Sequence, residues 1–203
     1  IMQVSSKQLL TLINDLLDIS RIEAGQFAIR HERFDLSIQL EQLAGIYAMR
    51  AEDKGLQFKM QGRLPSPCWV MGDPARFRQV LHNLLGNAIK FTQKGDVRLL
   101  IDWDSVSGLV RAEVRDSGCG IPPSDLCKIF EAFHQSTNNS AEQAAQGAGL
   151  GLTIARDIAR AMKGDITASS VIGKGTTMVF TACMPDATDT QVKQAPVATQ
   201  EAF

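Results

Sequence analysis

The stretch from Gly72 to Thr92 narrows what this chain can fold into more than any other. Asp73 stands where an N-cap is wanted and Pro74 at the first helical position, so a helix is predicted to begin there. Phe77, Val80, Leu81, Leu84 and Ala88 recur at helical spacing and give it an apolar face. The face in front carries Asn83, Asn87 and Lys90, which align because i, i+4 and i+7 nearly repeat at 3.6 residues per turn. Asn is a mediocre helix former, so two on successive turns ask for a reason. A carboxamide oxygen can ligate a hard cation such as Mg2+, which keeps several waters and shares the rest of its shell with substrate phosphates. A nearby ammonium meets phosphate charge directly. The residues alone leave a second reading open, a polar stripe on an ordinary amphipathic helix.

The flanking pattern mixes helical and strand periods, as an α/β or α+β domain does. Residues 1 to about 24 read as a helix with Leu9, Leu12, Leu16, Ile19 and Glu23 on one stripe, Ile13, Leu17 and Ser20 widening it, and Gly25 as its stop. So broad a seam wants a partner, either the following domain or another helix in a hairpin or dimeric bundle. Gln26–Phe34 reads as a short edge strand. Leu36–Lys54 reads as a helix with Leu36, Leu40, Leu43, Ala44, Tyr47 and Ala51 inward, and Leu56, Phe58 and Met60, then Cys68–Met71, as strands. Val97–Trp103 and Leu109–Arg115 are long strands joined by a polar turn, and Ile166–Ser170 and Thr176–Met184 are the last two.

At 203 residues, 44% hydrophobic and 21% charged, the composition is that of a soluble globular domain plus an appendage. A net charge of −1 gives no electrostatic case for nucleic acid or a membrane surface. Cys68, Cys119, Cys127 and Cys183 form no CxxC pair and fit reduced thiols of an intracellular protein. No run approaches the ~18 apolar residues of a membrane span and no signal peptide opens the chain. The chain starts inside a helical pattern, as a piece of a longer protein would.

Glycines mark the remaining chemistry. The strand ending at Arg115 runs into Asp116-Ser117-Gly118-Cys119-Gly120-Ile121, where backbone can pass close to a flat ligand and the Asp can accept from an exocyclic amine. Phe130 and Phe133 bracket Glu131-Ala132 at the end of a short helix. Residues 134 to 146 then lose all apolar periodicity, the mark of a lid or a disordered loop. Gly147-Ala148-Gly149-Leu150-Gly151-Leu152 opens a helix through Ile154, Ile158 and Met162, leaving backbone N–H groups free to hold phosphate. From Pro185 on, few apolar anchors remain, and the segment reads as a linker or disordered tail.

Taken together and in this order, these elements resemble the catalytic ATP-binding domain of a sensor histidine kinase of a two-component system. That family belongs to the wider superfamily of gyrase, mismatch-repair and heat-shock chaperone ATPases. Asn83 to Thr92 corresponds to its N box, Asp116 to Ile121 to G1, Phe130 to Phe133 to the F box, Gly147 to Leu152 to G2, and Gly173-Lys174-Gly175-Thr176-Thr177 to the last glycine element. The resemblance implies a two-layer α/β sandwich of Bergerat type, a mixed sheet covered on one face by helices, over residues 26–184. Residues 1–25 would be the second helix of a dimerisation hairpin, and 185–203 the linker or tail. It implies ATP and Mg2+, with Asn87 on the metal, Asn83 beside it and Lys90 facing the phosphates. Asp116 would read the adenine amine, with Gly118, Gly120 and Ile121 letting the base lie against the backbone. Gly149 and Gly151 would hinge the lid and present N–H groups to phosphate, Phe130, Phe133, Gly147 and Leu150 would complete the nucleotide site, and Thr176 would touch adenine through water.

The implied reaction is transfer of the γ-phosphoryl of ATP to a histidine outside this chain, in a cytoplasmic domain of a membrane-anchored hybrid kinase. The implied partners are a phosphoacceptor hairpin, a second copy paired through that hairpin, and a receiver domain or response regulator; nucleic acid is not among them. Asn83 stands near where hydrolytic relatives use a Glu, and an amide cannot take a proton from water, which favours transfer over hydrolysis. His31, His82 and His134 do not sit in the family's H-E-x-x-T-P acceptor setting, so the chain is not expected to autophosphorylate alone. No Lys or Arg lies between Ile129 and Ala155, where the family often places a cation; Ala148 replaces a common Thr, and Lys163 a frequent Gly. Those departures keep an alternative open, a pseudokinase-like regulatory module that acts by pairing with another kinase.

Overall fold

The computed structural model describes residues 13–14, 16–22, 24–134 and 149–188. Residues 13–14 and 16–22 are helical (α1), followed by β1 (Glu32–Asp35), α2 (Leu36–Asp53), β2 (Gln57–Arg63), β3 (Trp69–Gly72) and α3 (Pro74–Phe91). Next come β4 (Asp96–Asp104), β5 (Leu109–Asp116), the single turn α4 (Pro123–Leu126), α5 (Gly151–Ala161), β6 (Ile166–Val171) and β7 (Gly175–Cys183).

Helix α3 starts as its sequence predicts. Asp73 Oδ1 accepts from the backbone N–H of Ala75 at 3.1 Å and of Arg76 at 3.0 Å, while Oδ2 accepts from Arg30 N–H at 3.0 Å. It ends at Thr92, whose buried hydroxyl returns to the Ala88 carbonyl at 2.7 Å. Lys54 Nζ donates to the carbonyls of Ile89 at 2.6 Å and Lys90 at 2.9 Å, placing a cation at the negative end of the helix.

Five strands form one sheet in the order β2-β4-β5-β7-β6, with β2 parallel to β4 and every other pair antiparallel. The parallel pair requires a crossover, which β3 and α3 supply. Alternation sorts the strands into two faces. On one face, Ile101, Ala112, Phe180 and Ile166 sit in register across four strands, and Leu99, Val114, Met178 and Ala168 form the next row. Helices α2, α3 and α5 bury their apolar sides there, with Phe77 against Phe180 at 5.8 Å between ring centroids. The other face carries Arg98, Arg111 and Arg115 around Glu113, which ion-pairs with Arg111 at 2.7 Å and also with Arg115. This is the mixed sheet covered on one face that the resemblance implied.

Several expectations shift. The strand anticipated over 26–34 forms only from Glu32 and pairs with β3 in a separate two-stranded sheet. Before it the chain is held by side chains, Arg30 on Asp73 and Phe27 under the Arg76 guanidinium at 4.6 Å, and not by a ladder. The helix before Phe130 is one turn that stops at Leu126. Past Met184 the chain does not peel away. The Pro185 carbonyl accepts from Met71 N–H and Ala187 N–H donates to Trp69, both at 2.9 Å, and Ala187 is buried. The free edge of β3 needed backbone partners, and these residues supply them. The rest of the anticipated tail lies outside the described residues.

Of the seam on α1, Leu9, Leu12 and Glu23 also lie outside the described residues. Ile13, Leu16 and Leu17 stay about half exposed, while Ile19 packs on the core. The polar Asp18 is the buried one, at 7% exposure. Its Oδ2 accepts from Arg76 Nη1 at 2.8 Å and Gln79 Nε2 at 2.9 Å, joining α1 to the first turns of α3.

Candidate functional site

A cavity of about 120 Å³ opens between α3, the polar end of the sheet and the chain around α4 and α5. Asn87, Asp116, Gly120, Ile121, Thr176 and His134 line it among apolar side chains that include Leu84, Phe91, Val114 and Met178. Its polar wall follows from sheet register. Next to the apolar row of Leu99, Val114, Met178 and Ala168 runs Val97, Asp116, Thr176 and Ser170, so one row of the core-facing side turns from hydrocarbon to hydrogen-bonding groups.

Asp116 is fixed from two sides. Its Oδ1 accepts from Gly118 N–H at 2.8 Å and Thr176 N–H at 3.2 Å. Burial pushes its carboxyl above the usual carboxylate range, while those two N–H groups pull it back. With both bonds on Oδ1, Oδ2 is left as an acceptor for a ligand donor. Gly120 on the opposing loop has φ +73°, and a Cβ there would lie 2.3 Å from the Val171 carbonyl oxygen, so only glycine lets this loop press on the β6–β7 hairpin. Gly118 is buried beside it, and Ile121 N–H donates to Ser170 Oγ at 2.8 Å.

Asn83, Asn87 and Lys90 share one half-buried face of α3. Asn87 reaches the cavity. Asn83 lies toward α5, where a Cβ on Gly151 would come within 3.1 Å of its Oδ1. Lys90 Nζ rests 4.9 Å over the Phe91 ring, and burial lowers its pKa. Gly149 has φ +73° and its carbonyl accepts from Phe133 N–H at 3.1 Å, so the two ends of the intervening segment meet. Leu150 is in the core. Phe130 is half-buried beneath the Arg156 guanidinium at 4.6 Å, and its carbonyl accepts from Thr153 Oγ1. Phe133 is 67% exposed and is not part of the cavity lining. Gly147 lies outside the described residues.

Sequence reasoning gave His134 no role, yet it lines the cavity, and its Nε2 is buried without a hydrogen-bond partner among the described residues. The apolar lining was also missed as a site, because Leu84, Val114 and Met178 look like ordinary core positions. His82, beside Asn83 in sequence, instead meets the Tyr47 hydroxyl through Nδ1 at 3.0 Å.

An apolar slot ending in a carboxylate suits a flat heterocycle that bears a donor. The carboxamide of Asn87 on the cavity wall, with Asn83 and Lys90 on the same helix face, suits a phosphate chain and a hard cation. No cluster of three His, Cys, Asp or Glu occurs among the described residues. The oxygen donors on this face of α3 are carboxamides, which suit a hard cation that arrives with phosphates.

Residues 72–187 match the family described as histidine kinase-, DNA gyrase B-, and HSP90-like ATPase. The chain is 37% identical over 182 residues to the aerobic respiration control sensor protein ArcB of Escherichia coli (strain K12), covering 90% of this chain and 23% of that protein. It is 36% identical over 179 residues to the signal transduction histidine-protein kinase BarA of the same organism, covering 87% and 19%. The chain thus spans under a quarter of these relatives' length. Among solved structures, full-length ShkA in complex with AMPPNP superposes with TM-score 0.77 at 34% identity, over 90% of this chain and 37% of that one. The catalytic domain of histidine kinase ThkA superposes with TM-score 0.63 at 26% identity, over 76% and 95%.

Proposed function

The chain belongs to the histidine kinase-, DNA gyrase B- and HSP90-like ATPase family, and from that premise we propose that its cavity binds ATP for phosphoryl transfer to a histidine. The observation that carries this reading is one cavity joining a half-buried carboxylate, Asp116, to the carboxamide of Asn87 across an apolar slot. Asp116 Oδ2 would accept from the adenine amine, with Gly118, Gly120, Ile121 and Thr176 around the base. Asn87 would hold Mg2+ against the phosphates, with Asn83 beside it and Lys90 facing them; Gly147, Gly149, Leu150 and Gly151, with Phe130 and Phe133, would frame the lid. Bound there, Mg2+ would neutralise charge on the transferring phosphoryl group.

The chain's own residues contribute position and electrostatics, since in-line phosphoryl transfer leaves the protein little covalent chemistry to do. Asp116 and the glycine loop fix the base, and Asn83, Asn87 and Lys90 fix the phosphates on one rigid helix. The amide at Asn83 offers no base to activate water, which favours transfer over hydrolysis.

In the longer protein, residues 1–25 would form the second helix of a dimerisation hairpin that presents the acceptor histidine. Residues 26–184, closed by Pro185 to Ala187, would form the ATP-binding domain, and the tail to 203 would lead to a receiver domain. Two copies would pair through the hairpin, and phosphate would pass to the receiver or to a response regulator. Among the described residues no helix is long and apolar enough to cross a membrane; a membrane anchor elsewhere would leave this domain in the cytoplasm. The alternative of a non-catalytic regulatory module rests only on the sequence departures, chiefly the absence of Lys and Arg between Ile129 and Ala155; the family match and the named relatives do not favour it.

The test is calorimetry of a non-hydrolysable ATP analogue with and without Mg2+ on this chain and on Asn87→Ala and Asp116→Ala. Binding should need Mg2+ and weaken in both variants, with Asp116→Ala costing about 1.5–3 kcal/mol, the range for a charge-assisted hydrogen bond. No binding at millimolar nucleotide would sink the reading.

A further inference from the structure

Ser170 lies one strand beyond the residues assigned to the base, at the end of the row Val97, Asp116, Thr176, Ser170. Its hydroxyl has three neighbours. Ile121 N–H donates to Ser170 Oγ at 2.8 Å, Ser170 Oγ donates to the Gly175 carbonyl at 2.9 Å, and Thr176 Oγ1 lies 2.9 Å away. A hydroxyl owns one proton and two acceptor sites. The Ile121 amide can only donate and the Gly175 carbonyl can only accept. The Ser170 proton therefore goes to Gly175, and its second acceptor site is satisfied only if Thr176 donates. That spends the Thr176 proton on Ser170. On the cavity wall, where Thr176 is 8% exposed, its hydroxyl has only lone pairs left to offer.

We propose that Ser170 is a specificity-determining residue: it holds the Thr176 hydroxyl as an acceptor, so that the polar row offers a base acceptors only. With Asp116 Oδ2 and Thr176 Oγ1 both meeting the 6-substituent, the pair then selects a 6-aminopurine, which can donate to each, and disfavours a 6-oxo purine, whose O6 would face two acceptors. A site built to pair with a donor rejects an analogue lacking it because its buried acceptors are left unpaired. Ser170 acts through Thr176 and through the Ile121 amide, so it is a positioning residue that touches no ligand. The inference rests on the reading of this cavity as an ATP site.

The experiment compares calorimetric affinities of ATP and ITP, with Mg2+, for the wild-type chain, Ser170→Ala, Ser170→Thr and Thr176→Val. Wild type should prefer ATP. Ser170→Ala frees the Thr176 hydroxyl to donate and should shrink the ATP:ITP ratio roughly three- to tenfold, the span of one neutral hydrogen bond. Ser170→Thr keeps the hydroxyl and should restore the ratio. Thr176→Val should shrink it too, and adding Ser170→Ala to it should shrink it no further, because the two residues act as one unit. A ratio unchanged in Ser170→Ala, or both nucleotides weakened equally, would overturn the proposal while leaving the ATP site intact. If Ser170→Ala does not fold, Thr176→Val decides, and an unchanged ratio there overturns it. Wild type that binds neither nucleotide sinks the ATP reading, and this proposal with it.

Discussion

Replacing Arg76 by Met should loosen α1 from the domain without touching the cavity. The Arg76 side chain is 22% exposed and the Asp18 side chain 10%, so their 2.8 Å ion pair lies between the surface and the buried limits. Its charge-assisted hydrogen bond is worth about 1.5–3 kcal/mol, and the guanidinium stacked on Phe27 adds about 0.5–1 kcal/mol. Asp18 would keep the Gln79 amide, so the ~3–5 kcal/mol of a fully orphaned buried charge is not reached. The expected loss is about 2–3 kcal/mol. If α1 unfolds with the domain, melting should fall by roughly 4–12 °C, at about 2–4 °C per kcal/mol for a chain of this size. If α1 undocks first, amide exchange over residues 16–22 should accelerate instead while melting holds. Asp18→Asn completes a double-mutant cycle whose coupling should exceed about 1 kcal/mol. Additivity within about 0.5 kcal/mol, with α1 exchange unchanged, would refute the argument.

Two further outcomes follow from the site. Gly151→Ala should change melting little, since Gly151 is the first residue of α5 and the mid-helix preference for Ala over Gly does not apply in full there, yet weaken nucleotide binding in calorimetry, because its Cβ would press on Asn83 Oδ1 from 3.1 Å. Since burial raises the Asp116 carboxyl above its ordinary 3.8, nucleotide affinity should fall as pH drops through that raised value, and Asp116→Asn should lack this acid limb in a pH series. Folding carries the opposite sign: between 3.8 and the raised value the native state holds the extra proton, so this group makes the domain less stable as pH rises through the window.

The parts of this protein that local chemistry dictates were legible from the chain. Asp73 and Pro74 announced the start of α3, its apolar spacing announced which face is buried, and the alternation in β4 and β5 announced two paired strands. What depended on distant partners was not. Nothing near Ala187 signals that it closes the edge of β3, because backbone hydrogen bonds carry no side-chain signature. Asp18 looks like one more polar residue on an amphipathic helix until Arg76 and Gln79, about sixty positions away, meet it. The polar face of α3 and Asp116 could be found because carboxamides and carboxylates are out of place in such settings. Leu84, Val114 and Met178 line the same cavity but are in place anywhere in a core, and Ser170 joins the site only through the register of β6 on β7.

The small sheet around β3 has a mechanical consequence. Glu32 lies opposite Gly72 at one end of β3, and Ala187 bonds to Trp69 at the other. Both flanking segments run antiparallel to β3, so the chain comes in along one edge and goes out along the other in the same direction. Tension applied outward through residue 32 and residue 187 would load these hydrogen bonds in shear, with all of them sharing the force, and would not peel them open one at a time. Arg33 Nε, donating to the Ala187 carbonyl at 3.0 Å, ties the two outer segments together across the strand between them. Since β3 leads through Gly72 into the Asp73 cap, a pull or twist on either flank is delivered to the root of the helix that carries Asn83 and Asn87.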